Sequence, residues 1–295
     1  MSARRTCLLA VACGVLTAGM SAQPAADVEA LMVRVGERVA QYYKRVQNLI
    51  CTEKSTVQSI GWDMSPIGFA RVVESEMRVE TDEGDDSSGP AEARVRRELR
   101  KVNGRPPRDG DKKNRAGCTD PNPLSPEPLV FLLPANQRDY RFVAAGAGKG
   151  KDRNTLQIDF TEVNRSSGKL ELIEDPRGHD DCFEWKGSLG IRGRLWVDVS
   201  SFEVVRVDQR LATQGEMKVS SARQIKHHFP SSIAIERYDT TIKYKTVTFT
   251  DPEETLLLPE SIDTLTVIRG PLQSNRSRQV YSDYRRFLTA GRVVK

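Results

Sequence analysis

From Val28 to Leu49 the apolar positions Val28, Leu31, Met32, Val35, Val39, Tyr42, Val46 and Leu49 recur at spacings of three and four. This pattern predicts an amphipathic helix of about twenty residues within 23–50, with Asp27 as its N-cap. Gly36 sits in its middle, at a cost of about 1 kcal/mol relative to Ala. From Ile50 the period becomes two. Phe69, Arg71, Val73, Ser75, Met77 and Val79 share one predicted strand face, and residues 92–102 alternate more weakly. TLQIDFTEV (155–163) aligns Leu156, Ile158 and Phe160, and KLELIE (169–174) aligns Leu170 and Leu172. GRLWVDV and EVVRVDQRL, within 193–211, predict a hairpin turning at Ser200–Phe202. Leu195 and Val197 face one way on its first strand, and Val205, Val207 and Leu211 align on its second. Three more alternating runs, 233–249, 261–268 and 278–287, bring the expectation to nine to eleven strands. Alternation of this kind suits an antiparallel sheet with one covered face and one wet face. In SPEPLVFLLP, Ser125 as cap and Pro126 at the first helical position predict a short central helix over 126–133. There is no βαβ rhythm and no repeat of fixed period. The predicted class is therefore mainly β (α+β), with residues 51–295 as a single β domain.

The residues before the helix change the cysteine reading. Arg4 and Arg5, the apolar run Leu8–Gly19 and the small residues after it predict a signal peptide over 1–22, cleaved after Ala22. Ala12-Cys13 fits the end of a lipidation signal, but Ala10 stands where Leu is usual. The expected location is periplasmic or secreted. Cys51, Cys118 and Cys182 then remain, and an oxidising compartment favours one disulfide and one spare thiol. All three pairings stay open. Cys118–Cys182 is preferred because both lie in polar, turn-rich loops where the backbone can adapt to bridge geometry.

The net charge of +5 falls to +3 without Arg4 and Arg5, but its placement is uneven. Residues 94–115 hold ten Lys/Arg against three Asp/Glu, and 103–117 is a charged loop. A solvated strand face plus that loop is the expectation; nucleic acid is not expected as a partner.

The chemistry-bearing stretches are weak. GAGKGKD (146–152) misses the phosphate-loop spacing and places Asp152 where Ser or Thr is needed, so a Gly/Lys turn is expected. In HDDCFE (179–184), His179, Asp180, Asp181 and Cys182 are consecutive, and consecutive side chains diverge where a metal needs convergence. No G-x-S-x-G elbow occurs, and no pair of carboxylates stands out as acid and base. No catalytic residue, metal or cofactor is expected, and the protein is not read as an enzyme. Trp196 is expected to pack rather than to serve as a ligand platform.

The stretch GRLWVDVSSFEVVRVD (193–208) resembles the hairpin of the exported LolA-like, outer-membrane lipoprotein-sorting superfamily. YSDYRRF (281–287), after LLLPESIDTLTV (256–267), is similar to that superfamily's closing strands. Together with NLICTEKSTVQ (48–58) and CTDPNPLSPEPLVFLLP (118–134), it looks like a group of exported proteins of acidobacterial type. The resemblance implies a curved, incomplete antiparallel β-barrel with helices across its concave side. It implies a lipid or lipoprotein acyl chain as partner, but no family residue is carried over; the inward-facing strand positions Phe160, Leu195, Val197, Val205 and Val207 are the expected ligand-binding residues, and peripheral membrane contact and a monomeric state are expected. Two alternatives stand beside this carrier reading. One is a structural or interaction module with a filled core. The other is a secreted hydrolase, with His179 as its best candidate. The basic segment 94–115 has no role within the resemblance.

Overall fold

The computed structural model describes residues 28–46, 48–81, 93–108, 129–150, 153–163, 170–174, 183–186, 189–250 and 253–286. Helix α1, Val28–Arg45, buries Met32, Val35 and Val39 on one side. It stops short of the predicted boundary. Asn48 takes a left-handed φ of 57°, and strand β1 begins at Leu49 and runs to Ile60. Val46 and Leu49 continue the helical spacing because both are buried in the same core, not because both are helical.

The strands that follow are β2 (Arg71–Thr81), β3 (Ala93–Val102), β4 (Tyr140–Gly150), β5 (Arg153–Glu162), β6 (Leu170–Glu174) and β7 (Phe183–Lys186). After them come β8 (Ile191–Asp198), β9 (Val204–Leu211), β10 (Gly215–Lys218), β11 (Ser232–Thr250), β12 (Glu253–Arg269) and β13 (Ser274–Arg286). They form one unclosed sheet in the order β3-β2-β1-β13-β12-β11-β9-β8-β5-β4, and β10, β6 and β7 branch from β11. Every pairing is antiparallel except that of β6 with β10. A short helix α2, Ser221–His227, joins β10 to β11.

Among the described residues the sheet thus has thirteen strands, against the nine to eleven expected of the chain. The additions carry little hydrophobic signal. β7 and β10 have four residues each. β4 runs straight through most of GAGKGKD, where a turn was expected, with a bulge between Ala144 and Gly146. Gly146 there holds a φ of 118°, which only glycine adopts without strain. Of the predicted central helix, residues 126–128 lie outside the described ones, and the described part forms a 3₁₀ turn at Val130–Leu132. One turn is all the segment needs: Phe131 and Leu132 are both buried, and Leu133 is already extended.

Two apolar cores result. The larger joins the inner face of the sheet (Ile158, Phe160, Leu195, Val197, Val207, Ile242, Leu258) to α1 and to Phe131 and Leu132. The smaller gathers Leu170, Leu172, Leu211, Met217, Ile233 and Ile235 around the branch strands. Gly36, a liability by helix propensity, is where α1 meets the 3₁₀ segment. A Cβ there would lie 2.6 Å from Gln137 Nε2 and 3.1 Å from the Leu132 carbonyl oxygen. Gln137 Nε2 donates to the carbonyls of Met32 (2.8 Å) and Leu132 (2.7 Å), tying the two elements together.

Candidate apolar cleft under helix α1

The five residues expected to line a cavity are brought together, and they stand outside the lining of the cleft under α1. Phe160, Leu195, Val197 and Val207 are at most 1% exposed. Phe160 stacks against Phe131 with centroids 4.8 Å apart, which closes this part of the inner face. Gly193 explains the tightness. Phe160 pairs with Gly193, and a Cβ on Gly193 would lie 2.8 Å from the Phe160 ring and collide with the Asp208 carbonyl oxygen. Val205 is only half-buried. A bulge lets Val197 pair with Val204, so Val204 and Val207 are the buried valines and Val205 is displaced from their row. A one-residue irregularity reverses which side chain faces in.

The opposite face of the hairpin carries Trp196 and Arg206. Trp196 lies beneath the Arg206 guanidinium at 4.5 Å, and Arg206 pairs with Asp208 at 2.7 Å. At the turn, Asp198 accepts from the N–H groups of Ser200 and Ser201 (both 3.0 Å) and from Ser200 Oγ (2.5 Å). Burial works to raise its carboxyl, but these hydrogen bonds outweigh it and hold it below the ordinary carboxylate range. The hairpin is therefore a packing device and a well-capped turn.

Open space lies beside it, between α1 and strands β9, β11 and β12. Val39, Leu129, Val204, Leu256 and Leu257 supply apolar wall, and Tyr42 and Tyr244 stand among them. The free space is about 30 Å³, room for a water-sized group. Ion pairs clamp the helix over it: Arg38–Glu203 at 2.6 Å and Arg45–Glu254 at 2.5 Å, with Arg286 also on Glu254. The Tyr244 hydroxyl is buried and has no hydrogen-bond partner among the described residues. Burial, reinforced by Tyr42, Tyr43 and Tyr281, pushes its phenol well above the usual value. An orphaned hydroxyl in an apolar wall costs about 1–3 kcal/mol and calls for an explanation. Of this cleft the sequence pattern offered Val39 and Tyr42 on the helix face and the Leu256–Leu258 run. Tyr244 carried no signal beyond its place in a long alternating strand.

A second set of polar groups lies further along the inner face. On β1, Leu49, Cys51, Glu53, Ser55 and Val57 all point inward. Glu53 is 2% exposed and accepts from Arg97 Nε, from Gln279 Nε2 at 3.0 Å and from the Tyr281 hydroxyl at 3.4 Å. Burial, then the charge of Glu53, pushes the neighbouring Cys51 thiol up to about 12, so it is protonated and unreactive. Arg97 belongs to the basic segment, in which Lys101 and Arg100 are also paired across β2 and β3. Lys101 meets Glu74 at 2.9 Å, and Arg100 meets Glu98 at 2.9 Å and Glu76 at 3.3 Å. Cys118, Cys182 and His179 lie outside the described residues, as does the signal segment.

Among the described residues no helix is long and apolar enough to cross a membrane. No family model matches the chain, and no curated protein matches it. Several solved structures do. One is described as an outer membrane lipoprotein-sorting protein domain from Vibrio parahaemolyticus, with 10% identity and a TM-score of 0.38, matching over 87% of this chain and 94% of that one. Another is a LolA superfamily protein from Nitrosomonas europaea, with 12% identity and a TM-score of 0.34, over 87% and 93%. A DUF1329 family protein from Desulfovibrio piger matches at 11% identity and a TM-score of 0.37, over 90% and 95%.

Proposed function

We propose that the chain is an exported, non-catalytic binding protein that receives a lipid or lipoprotein acyl chain in the cleft under α1. The observation that carries this reading is the Tyr244 hydroxyl, buried and without a partner among the described residues, in a wall that is apolar except for Tyr42 and the ion-paired Arg38, Arg45 and Glu203. An amphipathic ligand supplies what the wall lacks: hydrocarbon against Val39, Val204 and Leu257, and an acceptor for the phenol. The free space of about 30 Å³ is far below the several hundred Å³ of ordinary ligand sites, so entry requires α1 to swing outward. Its two ion pairs are partly exposed, and each contributes at most about 1 kcal/mol to holding it down.

A different observation favours the second reading, an interaction module with a filled core. Phe160, Leu195, Val197 and Val207 are sealed by Phe131 and Leu132, where a carrier would leave them free to line a void. Native mass spectrometry of the mature protein from a bacterial periplasm, with lipid extraction alongside, decides between the two. The carrier reading expects a mass excess that extracts as an acyl lipid and diminishes in Leu257→Asp. A protein carrying only its own mass, before and after incubation with lipid, overturns it and leaves the filled-core module.

A further inference from the structure

At the end of the strands away from Leu256 and Leu257, the loop between β1 and β2 presents its apolar side chains to solvent. Trp62 and Phe69 are fully exposed, at 97% and 102%, and Ile67 is half-exposed. Phe69 was expected on the face of β2, but the strand starts two residues later. The loop is not loosely held. Gly61 N–H donates to the Ser65 carbonyl (2.8 Å), Met64 N–H to that of Gly61 (3.0 Å) and Ile67 N–H to that of Ser59 (2.8 Å). Asp63 accepts from the Ser65 N–H (3.0 Å) and hydroxyl (2.6 Å), and Gln58 Nε2 braces the Ile67 carbonyl (3.0 Å). Single exposed apolar residues are ordinary. Two whole aromatic side chains and an isoleucine on one braced loop are not.

The surroundings of the loop are cationic. Asn103 exchanges hydrogen bonds with the backbone of Val72, which brings the turn bearing Arg105 and Arg108 beside it. Gln273 donates to the Ile60 carbonyl (3.0 Å), which brings the β12–β13 turn with Arg269 and Arg276 to its other flank. Further along the same end, Ala234 pairs with Arg269. The register therefore places α2 there, with Arg223, Lys226 and an Ile225 that is 78% exposed. With Arg71 at the foot of the loop, these segments carry seven cations. The same segments hold one carboxylate of their own, Asp63; Glu236 meets Arg269, and Glu171 lies 3.9 Å from Arg223.

We infer that this end of the sheet is a membrane-docking surface. Trp62, Phe69 and Ile67 enter the headgroup region of an anionic phospholipid bilayer, and the surrounding arginines and lysine meet its phosphates. Indole and phenyl rings projecting from a rigid loop suit the bilayer interface, and the excess of positive charge selects an anionic lipid surface over an uncharged protein face. This surface is independent of the cleft under α1.

The test is co-sedimentation of the mature full-length protein with phosphatidylcholine vesicles, with and without about one part in four phosphatidylglycerol. The protein is expected to bind the mixed vesicles and to lose about tenfold in affinity when salt is raised from about 0.1 to 0.5 M. W62S/F69S is expected to weaken binding at least about tenfold with an unchanged Tm, because neither side chain packs on the fold. Tryptophan emission should shift to the blue on binding, and W62F should keep the binding and lose most of the shift. Absence of binding to the mixed vesicles overturns the proposal, as does a W62S/F69S variant that binds like the wild type. A vesicle-free dimer that buries Trp62 would overturn it in favour of self-association. The lipid content of the cleft, read by native mass spectrometry, should be the same in W62S/F69S, so failure here and failure of the acyl-chain reading are distinguishable.

Discussion

The inner face of the sheet changes character from one side to the other. Across β5, β8 and β9 it is hydrocarbon: Ile158, Phe160, Leu195, Val197 and Val207, sealed by Phe131 and Leu132. Across β1 and β13 the same face carries Glu53, Ser55, Gln279 and Tyr281, buried just as deeply. The first side is stabilised by removal of apolar surface from water, at about 25 cal/mol per Å². The second buries polar atoms that need partners: Glu53 finds them in Arg97, Gln279 and Tyr281, whereas Ser55 Oγ has none among the described residues. The lesson is that burial on this sheet does not report one kind of energy. Equal exposure values hide a side that tolerates no cavity and a side that tolerates no lost partner.

Alkali should separate the two most strongly. Tyr42, Tyr244, Tyr281 and Tyr284 all lie on α1, β11 and β13, and burial raises each phenol above its usual value. A raised folded value means that their contribution is complete below about pH 10 and is lost as pH climbs, because the unfolded chain releases those protons first. Each such phenol removes about 1.4 kcal/mol per pH unit above 10, and four remove about 6. A fold of ordinary stability should therefore unfold cooperatively by about pH 11–12. Far-ultraviolet circular dichroism and phenolate absorbance should change together. Phenols that titrate smoothly near pH 10 in a folded protein would mean that this side is wet.

Point substitutions sharpen the contrast. Phe160→Ala should cost about 4 kcal/mol in denaturant unfolding, because Phe131 and Gly193 pack directly on the ring and its removal leaves a cavity. On the polar side Arg97→Met should cost about 3 kcal/mol, because it strands the Glu53 carboxylate away from water. Adding Glu53→Leu to Arg97→Met should recover most of that loss, whereas no second substitution at a polar site should rescue Phe160→Ala. If the double variant is as unstable as Arg97→Met alone, the cost lies in lost packing of the arginine stem and the contrast fails.

The apolar side was the legible one. Period-two runs located β5, β8, β9, β11 and β13, and the three-and-four spacing located α1, because in each case one face meets hydrocarbon and the other meets water. Glu53 and Ser55 defeat that logic. They share the inward parity of Leu49, Cys51 and Val57, but a carboxylate and a hydroxyl read as solvent-facing until Arg97 and Gln279 arrive from β3 and β13. Val205 was misplaced by a bulge that no local residue pattern announces. β4 was missed because alanine and glycine give alternation no amplitude. Of the candidate cleft, Val39, Tyr42 and the Leu256–Leu258 run were visible as apolar positions. Their meeting with Tyr244 is a matter of register between β11 and β12, where a bulge pairs Tyr244 with Pro259.

The smallest expected effect bears most directly on the cleft, which lies between these two sides. Tyr244→Phe removes a buried hydroxyl that has no partner among the described residues and keeps the ring that fills the wall. A group buried without a hydrogen bond lowers stability, so its loss should raise the unfolding free energy by about 1 kcal/mol in protein stripped of lipid. Protein loaded with an acyl lipid should behave in the opposite way. There the phenol has an acceptor, and the same substitution should weaken retention severalfold. Chemical denaturation of the stripped and loaded forms, side by side, reads both signs. Stabilisation in the stripped form and no change in retention would place the ligand elsewhere and return Tyr244 to the filled core.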